Sequence, residues 1–341
     1  RATNIGMKAG NVADWVRTFG GGYDTMVVLD ADSYMSAECL QRLRAIMAAR
    51  PDIGLVQTTP SAINGETLFA RYQQYSMRLY GGIASAGLAW WSGAEAPYWG
   101  HNAIVRVRAF AANAGLPRLP GKPPFGGHFM SHDMVEGWFL RRAGWGVWLA
   151  PTLPGSYEEA PPTLLDLSVR DRRWCQGNLQ HLNLLGAQGL HWLSRLQIIL
   201  ACMIYASAPL WLGFIGVGIG LRLEQGPPPI GGWFSGEERP FALHWSILLM
   251  GVLLVGPKLM GAALIFLRGE NREFGGAVRL GLGVLIETLL SVLLAPSLML
   301  SNCAAIAGIL FGRDAGWRKQ RRSGDLSWND AFAAYGWHSI V

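Results

Sequence analysis

The hydrophobic pattern divides the chain into two parts of different character. Before about residue 195, short apolar runs alternate with stretches of helical periodicity, and most charged residues lie there. After that point, long apolar runs with very little charge continue to about residue 312. Short runs predict buried strands, whereas a run of about 20 apolar residues is long enough to cross a bilayer. The pattern predicts an α/β domain followed by a membrane region.

The first part predicts alternating strands and helices. Residues 25–30 and 53–57 are short apolar runs that favour buried parallel strands, and Ser36 can cap a helix that ends near Ala49. A strand, a helix and a strand at this spacing form a βαβ unit, which binds ligands at the carboxyl ends of its strands. Further strands are predicted at 98–106 and 146–150, further helices at 66–90 and 133–143, and a Gly/Pro-rich loop at 114–128.

The segment 163–195 predicts amphipathic helices that join the two parts. Leu164 and Leu167 belong to one face, while Arg170 and Asp171 lie on the other. Helices of this kind can lie in the plane of a membrane surface. We therefore expect a partial cytoplasmic α/β domain, interface helices, a membrane region and a basic cytoplasmic segment. Their respective boundaries are 1–162, 163–196, 197–312 and 313–341.

Three apolar runs are long enough to span a bilayer, at 198–221, 242–267 and 280–312. Three spans would leave residues 313–341 on the side opposite the first domain, yet their Arg and Lys residues favour the cytoplasmic side. The third run is unusually long and contains Pro296, so we expect it to be re-entrant or interfacial, with a break there. Lys258 and Glu287, inside these runs, are expected to pair or to extend to the interface rather than to form an ion path.

Composition narrows the possible functions. Only 15% of the residues are charged, the net charge is +6, and basic residues do not alternate with aromatic ones, so nucleic-acid binding is not expected. The basic clusters flank apolar runs and suit an anionic membrane face. Four scattered cysteines without a CxxC pair, and two histidines (His128 and His132) without a suitably spaced carboxylate, argue against a disulfide framework or a zinc site. We interpret the sequence, which has neither an initial Met nor a signal peptide, as an internal segment.

Two carboxylates, Asp30 and Asp32, follow the first predicted strand. Alternate residues of an extended chain point to the same side, so both can converge on one ion. Carboxylate oxygens suit Mg²⁺ or Mn²⁺, which share their coordination shell with substrate phosphates. A lone DxD often marks only a turn, but its position directly after a buried strand favours a metal site.

Two later positions carry candidate chemistry. Asp133 follows a Gly-rich loop and opens a predicted helix, where it is suited either to cap the helix or to act as a general base. Arg170, Arg173 and Trp174 lie close together on the amphipathic helix. They form either a basic turn that faces the membrane or a binding site, in which Arg holds a pyrophosphate and Trp offers a flat face to a sugar ring.

These motifs together resemble a known family. The sequence resembles the processive glycosyltransferases of family 2, which include cellulose and hyaluronan synthases. The shared pattern is a carboxylate pair, a later lone Asp and an Arg-x-x-Arg-Trp helix, followed by membrane spans. The closer resemblance, over nearly the whole chain, is to the inner-membrane synthases of osmoregulated periplasmic glucans. It is carried by Lys8-Ala-Gly-Asn-Val-Ala-Asp-Trp15, Val27-Val-Leu-Asp-Ala-Asp-Ser33, Gly100-His-Asn-Ala-Ile-Val-Arg106, Ser131-His-Asp133 and Arg173-Trp-Cys-Gln-Gly-Asn178.

The resemblance implies a GT-A-type catalytic domain on the cytoplasmic side of a bacterial inner membrane, with a mixed, mostly parallel sheet whose N-terminal part precedes this sequence. It implies inverting transfer of glucose from UDP-glucose to a growing β-glucan. Asp30 and Asp32 would bind the divalent cation, Mg²⁺ or Mn²⁺, and Asp133 would be the general base. The donor would contact Lys8, Gly10, Asn11, Arg170 and Arg173, and the acceptor would contact Trp174, His101 and Asn102.

The sequence departs from the family pattern at two motifs. Ser131-His132-Asp133 stands where family synthases carry Thr-Glu-Asp, and many members have Gln in place of Arg170, which counts against a cellulose synthase. The uridine-binding Asp of the family would lie upstream of Arg1, so the segment alone is expected to be inactive or poorly folded.

Alternative functions are a cellulose-type synthase, a lipid-linked sugar transferase, or a transporter or scaffold with an inactive transferase domain. Intact carboxylates at all three motif positions argue against an inactive domain. The resemblance also implies membrane lipid, periplasmic glucan-modifying proteins and acyl carrier protein as partners.

Overall fold

The structure, a computed structural model, describes residues 5–225, 241–316 and 326–339, without the side chains of 225, 241–244, 247, 337 and 339. Its strands are β1 (Thr25–Val28), β2 (Ser33–Met35), β3 (Ile53–Thr58), β4 (Ser61–Ile63), β5 (Ala103–Arg106), β6 (Gly146–Ala150) and β7 (Ser156–Glu159). Its α-helices are α1 (Met7–Phe19), α2 (Ala37–Ala49), α3 (Leu68–Ser92), α4 (Val107–Asn113), α5 (His132–Arg142), α6 (Leu164–His181), α7 (Trp192–Gln225), α8 (Phe241–Leu267), α9 (Ala277–Leu310) and α10 (Trp328–Tyr335). The predicted α/β domain followed by long apolar helices is confirmed.

The main sheet is mixed, with strand order β1-β5-β3-β6. Strands β1, β3 and β6 run in one direction, and β5 lies between β1 and β3, antiparallel to both. The mixed sheet was expected, and three of its four strands are parallel in direction. The predicted βαβ unit is wrong in one respect: its two strands, β1 and β3, are not neighbours, because β5 lies between them. The directly paired parallel strands of this sheet are β3 and β6.

The two faces of the main sheet are covered by different helices. Leu55 and its cross-strand partner Val105 belong to the core cluster that includes Leu140 of α5. The next pair along the strands, Val56 and Ile104, belongs to the cluster that α2 completes. Alternate residues of a strand point to opposite faces, which explains this division. The predicted cap of α2 is confirmed, since Ser36 Oγ accepts a hydrogen bond from Cys39 N at 3.2 Å.

A small second sheet holds the segment that carries Asp30 and Asp32. Its strand order is β2-β7-β4, with Ser33 opposite Glu158 in the antiparallel β2–β7 pair. This pairing fixes the chain just after the carboxylate pair and brings Glu158 of β7 to the same edge.

Helix α6 lies between the α/β domain and the apolar helices. Cys175 packs with Tyr205 of α7 and Ile309 of α9, while the opposite side of α6 buries Gln176 and Gln180. The expected amphipathic helix is therefore covered on both sides, since both of these faces pack against other parts of the protein. The sequence predicted several amphipathic helices over 163–195, but the structure has one, α6. A 3₁₀ turn ends α6, and the next helix, α7, already belongs to the apolar region.

Within the described residues, three helices are long and apolar enough to cross a membrane: Trp192–Glu224, Leu248–Leu267 and Ala277–Leu310. The predicted break at Pro296 is wrong, because α9 continues through this residue as one helix. A proline removes one backbone hydrogen bond, but in apolar surroundings the remaining backbone groups are still best satisfied within a helix.

Helix α3 packs against α8 and α9 and shares a polar cluster with them. Lys258 Nζ lies 2.7 Å from Glu287 Oε2, so the predicted pairing of these charges is confirmed. Ser76 Oγ of α3 donates to Glu287 Oε1 at 2.9 Å, and Tyr72 Oη lies 2.9 Å from Ser291 Oγ of α9. The α/β domain is thus hydrogen-bonded to the apolar helices through α3.

The described part of the C-terminal segment returns to α6. Gln176 Nε2 donates to Asp314 Oδ1 at 2.7 Å, and the backbone N–H of Ala315 donates to Gln176 Oε1 at 2.6 Å. Further along, Tyr335 Oη lies 3.1 Å from Ser168 Oγ. Both contacts are made to the helix that also borders the α/β domain.

Candidate active site

Asp30 and Asp32 lie in a turn at the end of β1. The N–H of Ser33 donates to the carbonyl of Asp30 at 3.1 Å, so the chain is not extended here and the predicted reason for their convergence is wrong. The turn still directs both carboxylates towards Glu158. Burial raises the pKa of the Glu158 carboxyl. The nearby side chains of His101 and Arg170 lower this pKa, whereas the negative charges of Asp32 and Asp30 raise it.

A lysine ammonium joins two carboxylates that are far apart in the sequence. Lys8 Nζ of α1 lies 2.5 Å from Asp30 Oδ1 and 3.9 Å from Asp133 Oδ1. A positive charge between two carboxylates lowers the cost of holding them close together. The structure thus brings Lys8, Asp30 and Asp133 into one cleft.

Asp133 lies at the start of α5, immediately behind a glycine. Ser131, not Asp133, occupies the N-cap position, so the alternative of a capping aspartate does not apply. Gly100 has φ +89°, and a Cβ at this position would overlap the Asp133 carboxylate. The absence of a side chain at Gly100 is what allows the carboxylate to lie against the backbone.

A polar face of α6 holds the loop that precedes Asp133. Gln180 accepts from Met130 N at 2.9 Å and donates to Pro124 O at 3.1 Å. His181 Nε2 donates to Ser131 O at 2.7 Å, and burial lowers the pKa of His181 to about 4, so the ring is neutral. A Cβ at Gly177 would overlap Ser131. No role was predicted for these residues from the sequence, although their helical spacing after Trp174 was a readable signal.

The arginines lie on α6, the helix that packs against the apolar helices α7 and α9. Burial lowers the pKa of the Arg173 guanidinium, and the negative charge of Asp133 raises it. This interaction indicates that the guanidinium lies near the Asp133 carboxylate. Arg170 lies over the Trp174 ring, 4.5 Å from its centroid, in a cation–π contact. The Trp174 side chain is 39% exposed, so its ring is open to a ligand on one side.

His101 and Asn102 have different surroundings. His101 Nε2 lies 3.5 Å from Glu158 Oε2, and its Nδ1 lies 3.4 Å from Ser33 Oγ, so the ring borders the acidic turn. Asn102 is fully buried and its Nδ2 donates to Ser156 Oγ at 2.7 Å. The Asn102 amide therefore holds β7 in position, and its predicted contact with the acceptor stays a prediction.

The predicted donor residues on α1 do not all face the cleft. Asn11 lies one turn after Lys8. Gly10 instead lines a cavity of about 590 Å³ between α1, α4 and the loop at Phe129, where Glu136 forms part of the wall. The structure places Gly10 on the opposite side of α1 from the carboxylates.

Two groups of side chains have the chemistry to hold a cation. Asp30, with a 39% exposed side chain, and Asp32 supply the oxygen ligands that a divalent cation with bound phosphates requires. His132, Asp133 and Glu136 also offer ligand atoms within 4.8 Å of one another. In that second group His132 Nδ1 lies 3.1 Å from Glu136 Oε1, a hydrogen bond that already accounts for the geometry.

Comparisons with known proteins identify the family of this chain. The family model described as glycosyl transferase family group 2 matches residues 25–266. A protein named glucans biosynthesis glucosyltransferase H from Xanthomonas campestris pv. campestris (strain B100) is 49% identical over 351 residues, which cover 100% of this chain and 54% of that protein. Proteins of the same name from Caulobacter vibrioides (strain NA1000 / CB15N) and Xylella fastidiosa (strain 9a5c) are 48% and 46% identical, each over 100% of this chain and over 53% and 55% of their own length.

The chain spans about half the length of the curated relatives it matches. The matched region of the family model includes the carboxylate pair, Asp133 and the helix with Arg173 and Trp174. The chain therefore belongs to glycosyl transferase family group 2.

Proposed function

We propose that this chain is the catalytic part of a membrane-bound inverting glucosyltransferase. It transfers glucose from UDP-glucose to the growing β-glucan backbone of an osmoregulated periplasmic glucan. The observation that carries the proposal is the position of Lys8 between Asp30 and Asp133. Because of this contact, the metal-binding turn and the candidate base lie in the same cleft. The name shared by the relatives, glucans biosynthesis glucosyltransferase H, supports the choice of donor and product.

Donor binding uses the basic side of the cleft. Asp30 and Asp32 would hold a divalent cation, which would supply positive charge next to the diphosphate leaving group. Arg173 and Arg170 add planar N–H donors that suit phosphate oxygens. The Trp174 ring, held from behind by Arg170, offers its exposed face to a sugar of the acceptor.

Proton removal is the role of Asp133. Its carboxylate takes the proton of the acceptor hydroxyl while that oxygen bonds to the anomeric carbon. The bond from that carbon to the UDP oxygen breaks, and its electron pair leaves with UDP. Attack from the opposite face converts an α-linked donor into a β-linked product, the geometry that single displacement imposes.

The C-terminal segment lies on the cytoplasmic side in this proposal, together with the catalytic domain. The hydrogen bonds of Gln176 with Asp314 and Ala315 support this arrangement, because α6 also holds the loop of the catalytic cleft. In this arrangement α7 and α8 cross the inner membrane, and α9, although long enough to span, lies along the boundary between α3 and α6.

The substrate and product can be tested with the full-length enzyme in membranes. With a panel of UDP-sugars, we expect UDP release and polymer formation with UDP-glucose, and linkage analysis should find a β-glucan. Incorporation of a different hexose, or a product that resists β-glucanases, would contradict the proposal.

Substitutions in the cleft should separate its two functions. Asp133→Asn is expected to keep metal-dependent UDP binding but to lower turnover by at least about 10²–10⁴-fold, the typical contribution of a general base. Asp30→Asn should weaken UDP binding in the presence of metal, as measured by calorimetry with and without chelator. Asp52→Asn, in an exposed pair with Arg50, is the matched control for both. Normal turnover by Asp133→Asn would rule out its role as the base.

A second test concerns the contact between Gly100 and Asp133. Gly100→Ala should displace the carboxylate and lower kcat by about 10²-fold, the cost of a misplaced reacting group. Gly144→Ala is the matched control, since Gly144 has φ +91° with nothing within 4 Å of an added Cβ. Both variants carry the same backbone strain, so an equal loss of kcat in both would contradict the proposed contact.

The orientation of the C-terminal segment can be tested by protease accessibility in oriented vesicles. Cleavage after residue 312 should occur only from the face that exposes the catalytic domain, because that segment contacts α6. An epitope inserted between α7 and α8 should be accessible only from the other face. Cleavage of the C-terminal segment from the periplasmic side alone would exclude the arrangement.

A further inference from the structure

Three ionisable side chains meet in the first turn of α5. His132 Nδ1 lies 3.1 Å from Glu136 Oε1 and 3.4 Å from Asp133 Oδ1. His132 and Glu136 are each only 3% exposed, and they lie four residues apart, on the same face of the helix. The imidazole therefore links a buried carboxylate to the candidate base.

The charges of this group support an ion pair rather than a neutral contact. Burial lowers the pKa of His132, but Asp133 and Glu136 outweigh this and raise it to about 9. The ring is therefore protonated at neutral pH. A buried carboxylate such as Glu136 is costly unless a cation pairs with it, and His132 is the cation at hydrogen-bond distance.

The two oxygens of Asp133 differ in their surroundings. Oδ1 is buried and accepts no hydrogen bond from the described parts of the chain. Its near neighbours are the cationic nitrogens of His132 at 3.4 Å and Lys8 at 3.9 Å. These two charges attract Oδ1 to the interior, which leaves Oδ2 as the oxygen that can meet an acceptor hydroxyl.

We propose that His132 is a positioning residue for sugar transfer: anchored by Glu136, its ring holds Asp133 Oδ1 and so orients Oδ2 towards the acceptor. This inference rests on the proposed function, because it assumes that Asp133 is the base. Glu136 acts through His132 and does not touch the reacting atoms.

Other charged and titratable groups face the same site from neighbouring elements. They are Lys8 on α1, Asp30 after β1, Tyr98 before β5, and Arg173 and His181 on α6.

The test compares His132→Gln, Glu136→Gln and the double variant in the full-length enzyme. His132→Gln should lower kcat by about 10²-fold, because a small displacement of a reacting group costs that much. The KM for UDP-glucose should stay within about twofold, since His132 contacts Asp133 and Glu136 and neither of these is assigned to donor binding. Glu136→Gln should lower kcat less, and the double variant should be no worse than His132→Gln, as residues that act through one another are not additive.

His128→Gln is the matched control, because the His128 side chain is exposed in the same loop region. If His132→Gln does not fold, the kcat of Glu136→Gln alone tests the inference. This substitution keeps the shape of the side chain and removes only its charge. An unchanged kcat in the folded variant, additive losses in the double variant, or rescue of His132→Gln by added Mn²⁺ would each overturn the inference. An active Asp133→Asn would instead overturn the proposed function, so the two failures are distinguishable.

Discussion

Charge compensation in the cleft is the constraint on which this structure depends. Asp30 lies near Asp133 of α5 and near Glu158 of β7, and partly buried carboxylates in such a group require cations between them. Lys8 provides one from α1, and Arg173 provides another from α6. The positions of both helices follow from this requirement. A cleft built in this way is also suited to a nucleotide diphosphate, because the cations that offset the carboxylates can bind phosphate oxygens.

Helix α6 links the chemistry to the apolar helices. Gln180 holds the carbonyl of Pro124 in the catalytic loop, and Gln176 bonds both to this carbonyl and to Asp314 beyond α9. On its other side, Cys175 packs against α7 and α9. A movement of the apolar helices would therefore be transmitted to the loop that precedes Asp133. This coupling gives a physical reason for the two parts of the chain to act together.

Local features of the fold were predictable from the sequence, and long-range ones were not. The strand around Val56, the Ser36 cap and the apolar helices follow from periodicity and capping chemistry, which operate within a few residues. The insertion of β5 between β1 and β3 depends on pairing between segments about 80 and about 50 residues apart, which periodicity does not encode. The turn at Asp30 likewise depends on the pairing of β2 with β7. The prediction of a break at Pro296 was wrong because it did not take the apolar surroundings into account. There the backbone groups are best satisfied within a helix, so α9 continues through the proline.

The site shows the same division in its chemistry. Motif residues such as Asp30 and Asp133 could be found from the sequence, because their residue types and positions after predicted elements suggest a function. Glu158 could not be found in this way, since its proximity to the acidic turn exists only after β2 and β7 pair. His132 and Glu136 are an intermediate case, as their helical spacing was visible but their burial was not. A buried imidazolium attracts the carboxylates on both sides of it, so His132 affects the position of Asp133 whichever sugar is transferred.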